Sequence, residues 1–184
     1  MKRVLSFLFL LLLASAAMAA PPPPVNSYAS GAVSTLTTAG DAYCIQGSNT
    51  KVVYITAFNV SASSTGASVE TVSLVRRSSA DVGAGKAVAA TPYDTSSPPA
   101  TAVTNIYNTA PTIGTAVGIV RYDLLLVGNN SGTTAFVTHR FQWDYEHPFI
   151  LRSSGEFLCF NLGTPIGAGA NIVISHEHTE FPLP

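Results

Sequence analysis

Residues 51–60 read KVVYITAFNV. β-branched and aromatic residues fill the stretch, and no glycine or proline interrupts it, so it reads as a β-strand. Both of its faces are apolar: Val53, Ile55 and Ala57 on one, Val52, Tyr54, Phe58 and Val60 on the other. A strand with one face in water should alternate apolar and polar residues. This one is expected to lie centrally with both faces covered, the second either by another subunit or by a segment of its own chain.

Working outward, the same period-two grammar recurs. Residues 41–46 form a short strand that ends in the turn Gly47-Ser48-Asn49, and 28–37 have weaker strand character. Residues 68–77 alternate, with Val72 and Leu74 on one face and Thr71 and Ser73 on the other. Residues 117–127 form a long strand on which Val120, Tyr122, Leu124 and Leu126 face one way, while Arg121 and Asp123 share the other face. A turn at 128–132 leads into 134–143, then come short strands at 149–152 and 156–162, and a last strand at 170–178. No stretch beyond the N-terminal leader has a helical period. Eight to ten short strands separated by turns indicate an all-β sandwich or barrel.

Between the alternating strand that ends at Arg76-Arg77 and the return of strand character near Ala102 lies a long excursion rich in Gly, Pro, Ser, Thr and Ala. The whole unit spans residues 75–118. Connections of this length in compact domains have a structural or functional reason. The expectation is a folded lobe, with a short strand at 102–108, pinned by Pro92, Pro98, Pro99 and Pro111.

The N-terminus, MKRVLSFLFLLLLASAAMAAPPPP, has the organisation of a cleavable signal peptide over residues 1–19. Lys2 and Arg3 precede an apolar run, and Ala17 and Ala19 supply the small residues at the cleavage site. The run is short for a bilayer span. Cleavage would leave a proline-rich leader at 20–27 and one β-domain at 28–184, secreted to the periplasm or the outside, with no membrane attachment. Without Lys2 and Arg3, seven basic residues face ten acidic ones. No basic run exceeds Arg76-Arg77, so nucleic acid is not an expected partner. In an exported chain the two cysteines, Cys44 and Cys159, most simply pair.

Few residue groups invite a chemical reading. DVGAGK at 81–86 lacks the full phosphate-loop pattern, because Ala87 follows Lys86, and no helix is expected after it. His176 and His178 point the same way on a strand and are weak candidates for a metal site; the sequence identifies no third ligand, though His139 or His147 could approach. Ile172 and Ile174 begin that face, which places the histidines at its solvent end as polar strand-end residues. Trp143 and Tyr145, with Phe149, form either a sugar-binding platform or ordinary packing at a strand end. No GxSxG elbow occurs, and Asp144, Glu146 and Glu156 have no setting that marks a paired-carboxylate site. No catalytic residue and no cofactor is expected, and the chain reads as a non-enzyme.

The excursion and its flanks, SLVRRSSADVGAGKAVAATPYDTSSPPATAVTNIYNTAPTIGTAVGIVR, resemble a segment common in phage-like and metagenomic virion-associated proteins. The matching positions include Arg76, Arg77, Ser78, Gly83, Pro92, Asp94, Pro98, Tyr107, Pro111, the Gly114–Gly118 run GTAVG and Arg121. Leu151, Arg152, Glu156, Leu158, Asn161 and Leu162 follow later. The likeness extends over roughly residues 50–178. It implies a jelly-roll-like β-sandwich used as a decoration- or fibre-type structural module, self-associating and trimeric. The alternative is an extracellular binding module for glycans or cell-surface protein partners.

Overall fold

A computed structural model describes residues 25–129, 137–144 and 147–183. The expected signal peptide, most of the expected leader, residues 130–136, Tyr145 and Glu146 lie outside the described residues. Twelve strands and no helix are found among those described: β1 (Asn26–Ser34), β2 (Gly40–Gln46), β3 (Lys51–Ser64), β4 (Ser68–Arg77), β5 (Gly85–Val88), β6 (Thr91–Pro92), β7 (Val103–Tyr107), β8 (Ala116–Asn129), β9 (His139–Gln142), β10 (Phe149–Leu151), β11 (Phe157–Leu162) and β12 (Asn171–Pro182). The count exceeds eight to ten because the excursion contributes β5 and β6 besides the expected strand near 102–108, which is β7.

The strands form one curled sheet in the order β5-β7-β2-β11-β4-β8-β3-β12-β1-β6, and β9 and β10 also pair with β3. Folded over, it makes two facing layers. β7, β2, β11, β4 and β8 form the first, and β3, β12 and β1 the second. Tyr43 of β2 meets Phe58 of β3 edge-on at 5.6 Å, and Phe160 of β11 stacks on Phe58 at 6.3 Å. Chain neighbours β1 and β2, β3 and β4, and β11 and β12 fall in opposite layers. β1 with β12 and β2 with β11 pair antiparallel across most of the sequence. This wrap is the jelly-roll-like sandwich expected.

The two far ends of the sheet approach each other. Ser34 Oγ of β1 donates to the Tyr107 carbonyl of β7 at 2.5 Å, and the Thr35 amide donates to Asn108 Oδ1 at 3.0 Å. The excursion spans this seam, since β5 pairs with β7 on one side and β6 with β1 on the other.

β3 is central, with β12 along one edge and β10, β9 and the end of β8 along the other. Its two apolar faces have a different cause from the one expected. Glu177 pairs with Ala57 and His178 with Ile55, so Thr56 is an extra residue, a β-bulge. The bulge resets the alternation. Val53 and Ile55 before it, and Phe58, Val60 and Ala62 after it, all enter the same core. The outer side carries half-buried Tyr54, Asn59 and Ser61, and Tyr54 packs on Phe181 at 4.6 Å. A second subunit is not needed to cover β3.

β8 also differs from a simple reading. Leu125 and Val127 are its buried core residues, while Tyr122, Leu124 and Leu126 face solvent. The run LLLV fits either register, and a shift of one residue exchanges the faces. The register shift opposite Leu74 and Val75 makes Val120 the extra residue, which packs against the core.

Candidate functional site

β12 presents Ile172, Ile174, His176, His178 and Glu180 in succession to the interior. The expectation that the histidines sit at the solvent end is corrected: His176 and His178 are 0% and 1% exposed, and Glu180 is 1% exposed. The excursion covers this end of the strand. Polar groups so buried need partners. Tyr43 Oη lies 2.8 Å from His176 Nδ1, and His176 Nε2 lies 3.0 Å from His178 Nδ1. His178 Nε2 has no hydrogen bond but faces Glu180 Oε1 at 3.7 Å. The Glu180 carboxylate accepts from the Thr101 amide (2.7 Å), the Ala102 amide (2.7 Å) and Thr101 Oγ1 (3.0 Å). Tyr28 stacks on His178 at 5.2 Å, and its hydroxyl donates to the Pro98 carbonyl at 2.9 Å.

Burial, and then the neighbouring His178, hold His176 well below the ordinary histidine range. The hydrogen bonds Glu180 receives outweigh its burial and hold its carboxyl below the usual range. The two histidines adjoin, as their spacing predicts. His139 does not join them: it lies on β9, its Nδ1 3.5 Å from Asp123 Oδ2. His147 sits in the exposed turn before β10.

A second buried cluster lies on the outer face of β2, β11 and β4. Cys44 and Cys159 are opposite one another in the β2–β11 ladder and form a disulfide, packed with Tyr107 and Phe157. Beside it Arg77 makes a two-pronged ion pair to Asp41, through Nε to Oδ2 and through NH2 to Oδ1 at 2.7 Å. Asn161 Nδ2 also donates to Asp41, at 2.6 Å. Arg77 NH1 then donates to the Gly114 carbonyl at 3.0 Å, and the Gly114 amide donates to Asp81 Oδ1 at 2.8 Å.

Arg77 thus clasps the two ends of the excursion. The Ser78 amide to the Thr115 carbonyl, and the Val82–Thr112 bridge, continue the closure. A Cβ on Gly114 would stand 2.1 Å from the Ser79 carbonyl oxygen, so this glycine of GTAVG is required by the clasp. Burial foremost, with Asp41 adding to it, pushes the Asp81 carboxyl up to about 6, against the lowering effects of the Gly114 amide and Arg77.

Asp41, Cys44, Asp81 and Cys159 bring ligand-type atoms within 4.8 Å of one another. Their donor set does not suit a metal ion, because the sulfurs are bonded to each other and Arg77 occupies Asp41. Sequence reasoning stopped at Arg76-Arg77 as a boundary and missed this cluster. The available signal was the Arg77–Asp81 spacing at the mouth of a long loop.

Trp143 is half-buried and packs against Phe149 at 6.0 Å, so its ring is part of the core margin. Asp144 is exposed, and Glu156 is engaged by Arg76 at 2.6 Å and by the Arg152 amide at 2.6 Å. By contrast, the outer face of β4 and β8 carries apolar side chains in the open. Val69 is 55% exposed, Tyr122 66%, Leu124 52% and Leu126 45%. Val137 lies beside Val69 and Leu126 and lines the same shallow apolar hollow.

No protein-family model, no curated protein and no solved structure matches this chain.

Proposed function

We propose that the chain is a secreted, non-enzymatic structural module that associates with copies of itself, of the particle-surface type its sequence resembles. The observation that carries this reading is the exposed apolar stripe of β4 and β8, formed by Val69, Tyr122, Leu124 and Leu126 with Val137 beside it. Contiguous exposed apolar surface marks an interaction site far more than scattered single residues do. Exposed apolar side chains side by side on a sheet also suit packing against a second sheet, as in the core of this fold. The two clusters of titratable groups lie beneath other chain segments and bind the fold together, which supports a structural use over a catalytic one. The disulfide is compatible with a secreted location, and among the described residues no helix is long and apolar enough to cross a membrane.

The resemblance to decoration and fibre proteins favours three copies. Light scattering of the protein from Ala20 onward, at micromolar concentration, is expected to give a multiple of the monomer mass. Leu124→Asp is expected to reduce it to the monomer while leaving the far-ultraviolet spectrum unchanged. A wild-type protein that is monomeric throughout would contradict the reading.

A further inference from the structure

We propose that His176, His178 and Glu180 form an acid-sensitive catch that holds residues 98–102 closed over the seam between the two ends of the sheet. With both rings neutral and a His178 proton facing the Glu180 carboxylate, the distances assign one proton arrangement to the closed state. Tyr43 donates to His176 Nδ1, so His176 carries its proton on Nε2 and donates it to His178 Nδ1. His178 then carries its proton on Nε2, aimed at Glu180. Every link of the chain runs toward the carboxylate.

The same carboxylate receives both amides of Thr101 and Ala102, and Tyr28, stacked on His178, holds the Pro98 carbonyl. The strap is therefore gripped by the two side chains that flank His178. The titratable groups facing the histidine pair are Tyr28 from β1, Tyr43 from β2 and Glu180 from β12 itself, and β3 presents Phe58. A proton added to His176 would leave a buried imidazolium among the rings of Tyr43, Phe58 and His178, which the interior disfavours.

The sign follows from which state binds protons better. His176 resists protonation while buried and takes a proton readily once water reaches it. Acid below about pH 6.5, the ordinary histidine value, therefore favours the open strap. Glu180, held below its usual range, loses its grip only at still lower pH. Opening would part the 98–102 segment from β12 and loosen the junction between β1 and β7.

Amide hydrogen exchange, corrected for intrinsic rates, tests this between about pH 7.5 and about pH 5. Protection of residues 98–107 is expected to fall up to about tenfold per pH unit below about pH 6.5, one proton's worth, while β4 and β11 keep theirs. The double variant His176→Gln, His178→Gln should flatten the profile, and His139→Gln should leave it as in the wild type. A flat wild-type profile would overturn the catch. So would a fall shared equally by β4 and β11, or a slope that survives in the double variant. If the double variant does not fold, the wild-type comparison between the strap and β4 decides alone.

Discussion

Arg77 is nearly fully buried, and so is the carboxylate it holds. Removing only the cation leaves the buried Asp41 carboxyl without its ion-pair partner and the Gly114 carbonyl without its donor. Arg77→Met is therefore expected to cost about 3–5 kcal/mol in urea denaturation, the usual range for breaking a buried pair. Gly114→Ala drives a methyl group into the Ser79 carbonyl and should cost about 1–3 kcal/mol, from displaced backbone. Asp81 makes a pH prediction. Its folded-state carboxyl titrates higher than in the unfolded chain, so the folded state binds that proton more tightly. Its stabilising contribution is present at low pH and is lost as pH rises from about 4 to about 6. Asp81→Asn keeps the acceptor for Gly114 and removes the titration. The variant should gain on the wild type across that window in thermal melts, and a constant difference would refute the assignment. Little of this was legible in the chain. A glycine that must lie against a backbone oxygen, and an arginine that must be buried, look like any others until the loop closes on them.

At the scale of elements, the strands were readable and their faces less so. β3, β4, β10 and β11 stand where alternation and turn residues place them. β3 misleads because the bulge at Thr56 changes which residues point inward, and bulges leave no period-two trace. β8 misleads because four consecutive apolar residues permit both registers. β12 misleads because a face that begins with isoleucine was expected to end in water, whereas a distant segment of chain covers it. The cysteine pairing was legible from compartment and count, and the ladder places Cys44 opposite Cys159. The bridge closes 115 residues of chain. Replacing both cysteines by alanine is expected to lower stability by about 4–5 kcal/mol on the chain-entropy view. An unchanged denaturation midpoint would show that the bridge contributes little to folding.

For the whole molecule, the class of fold followed from short strands, turns and the lack of helical period. The pairing of the two terminal strands within one layer did not, because β1 and β12 join residues more than a hundred positions apart. The excursion is the element that completes this architecture: it bridges the sheet's two ends, is clasped at its neck by Arg77 and is held at its middle by Glu180. The apolar face of β4 and β8 stays on the outside. The most direct test is hydrogen exchange compared between dilute and concentrated protein at neutral pH. Slower exchange on concentration, confined to the amides around Val69 and residues 117–126 and absent in Leu124→Asp, is the expected result. Exchange independent of concentration, or protection appearing instead on β1 and β12, would contradict self-association through this face.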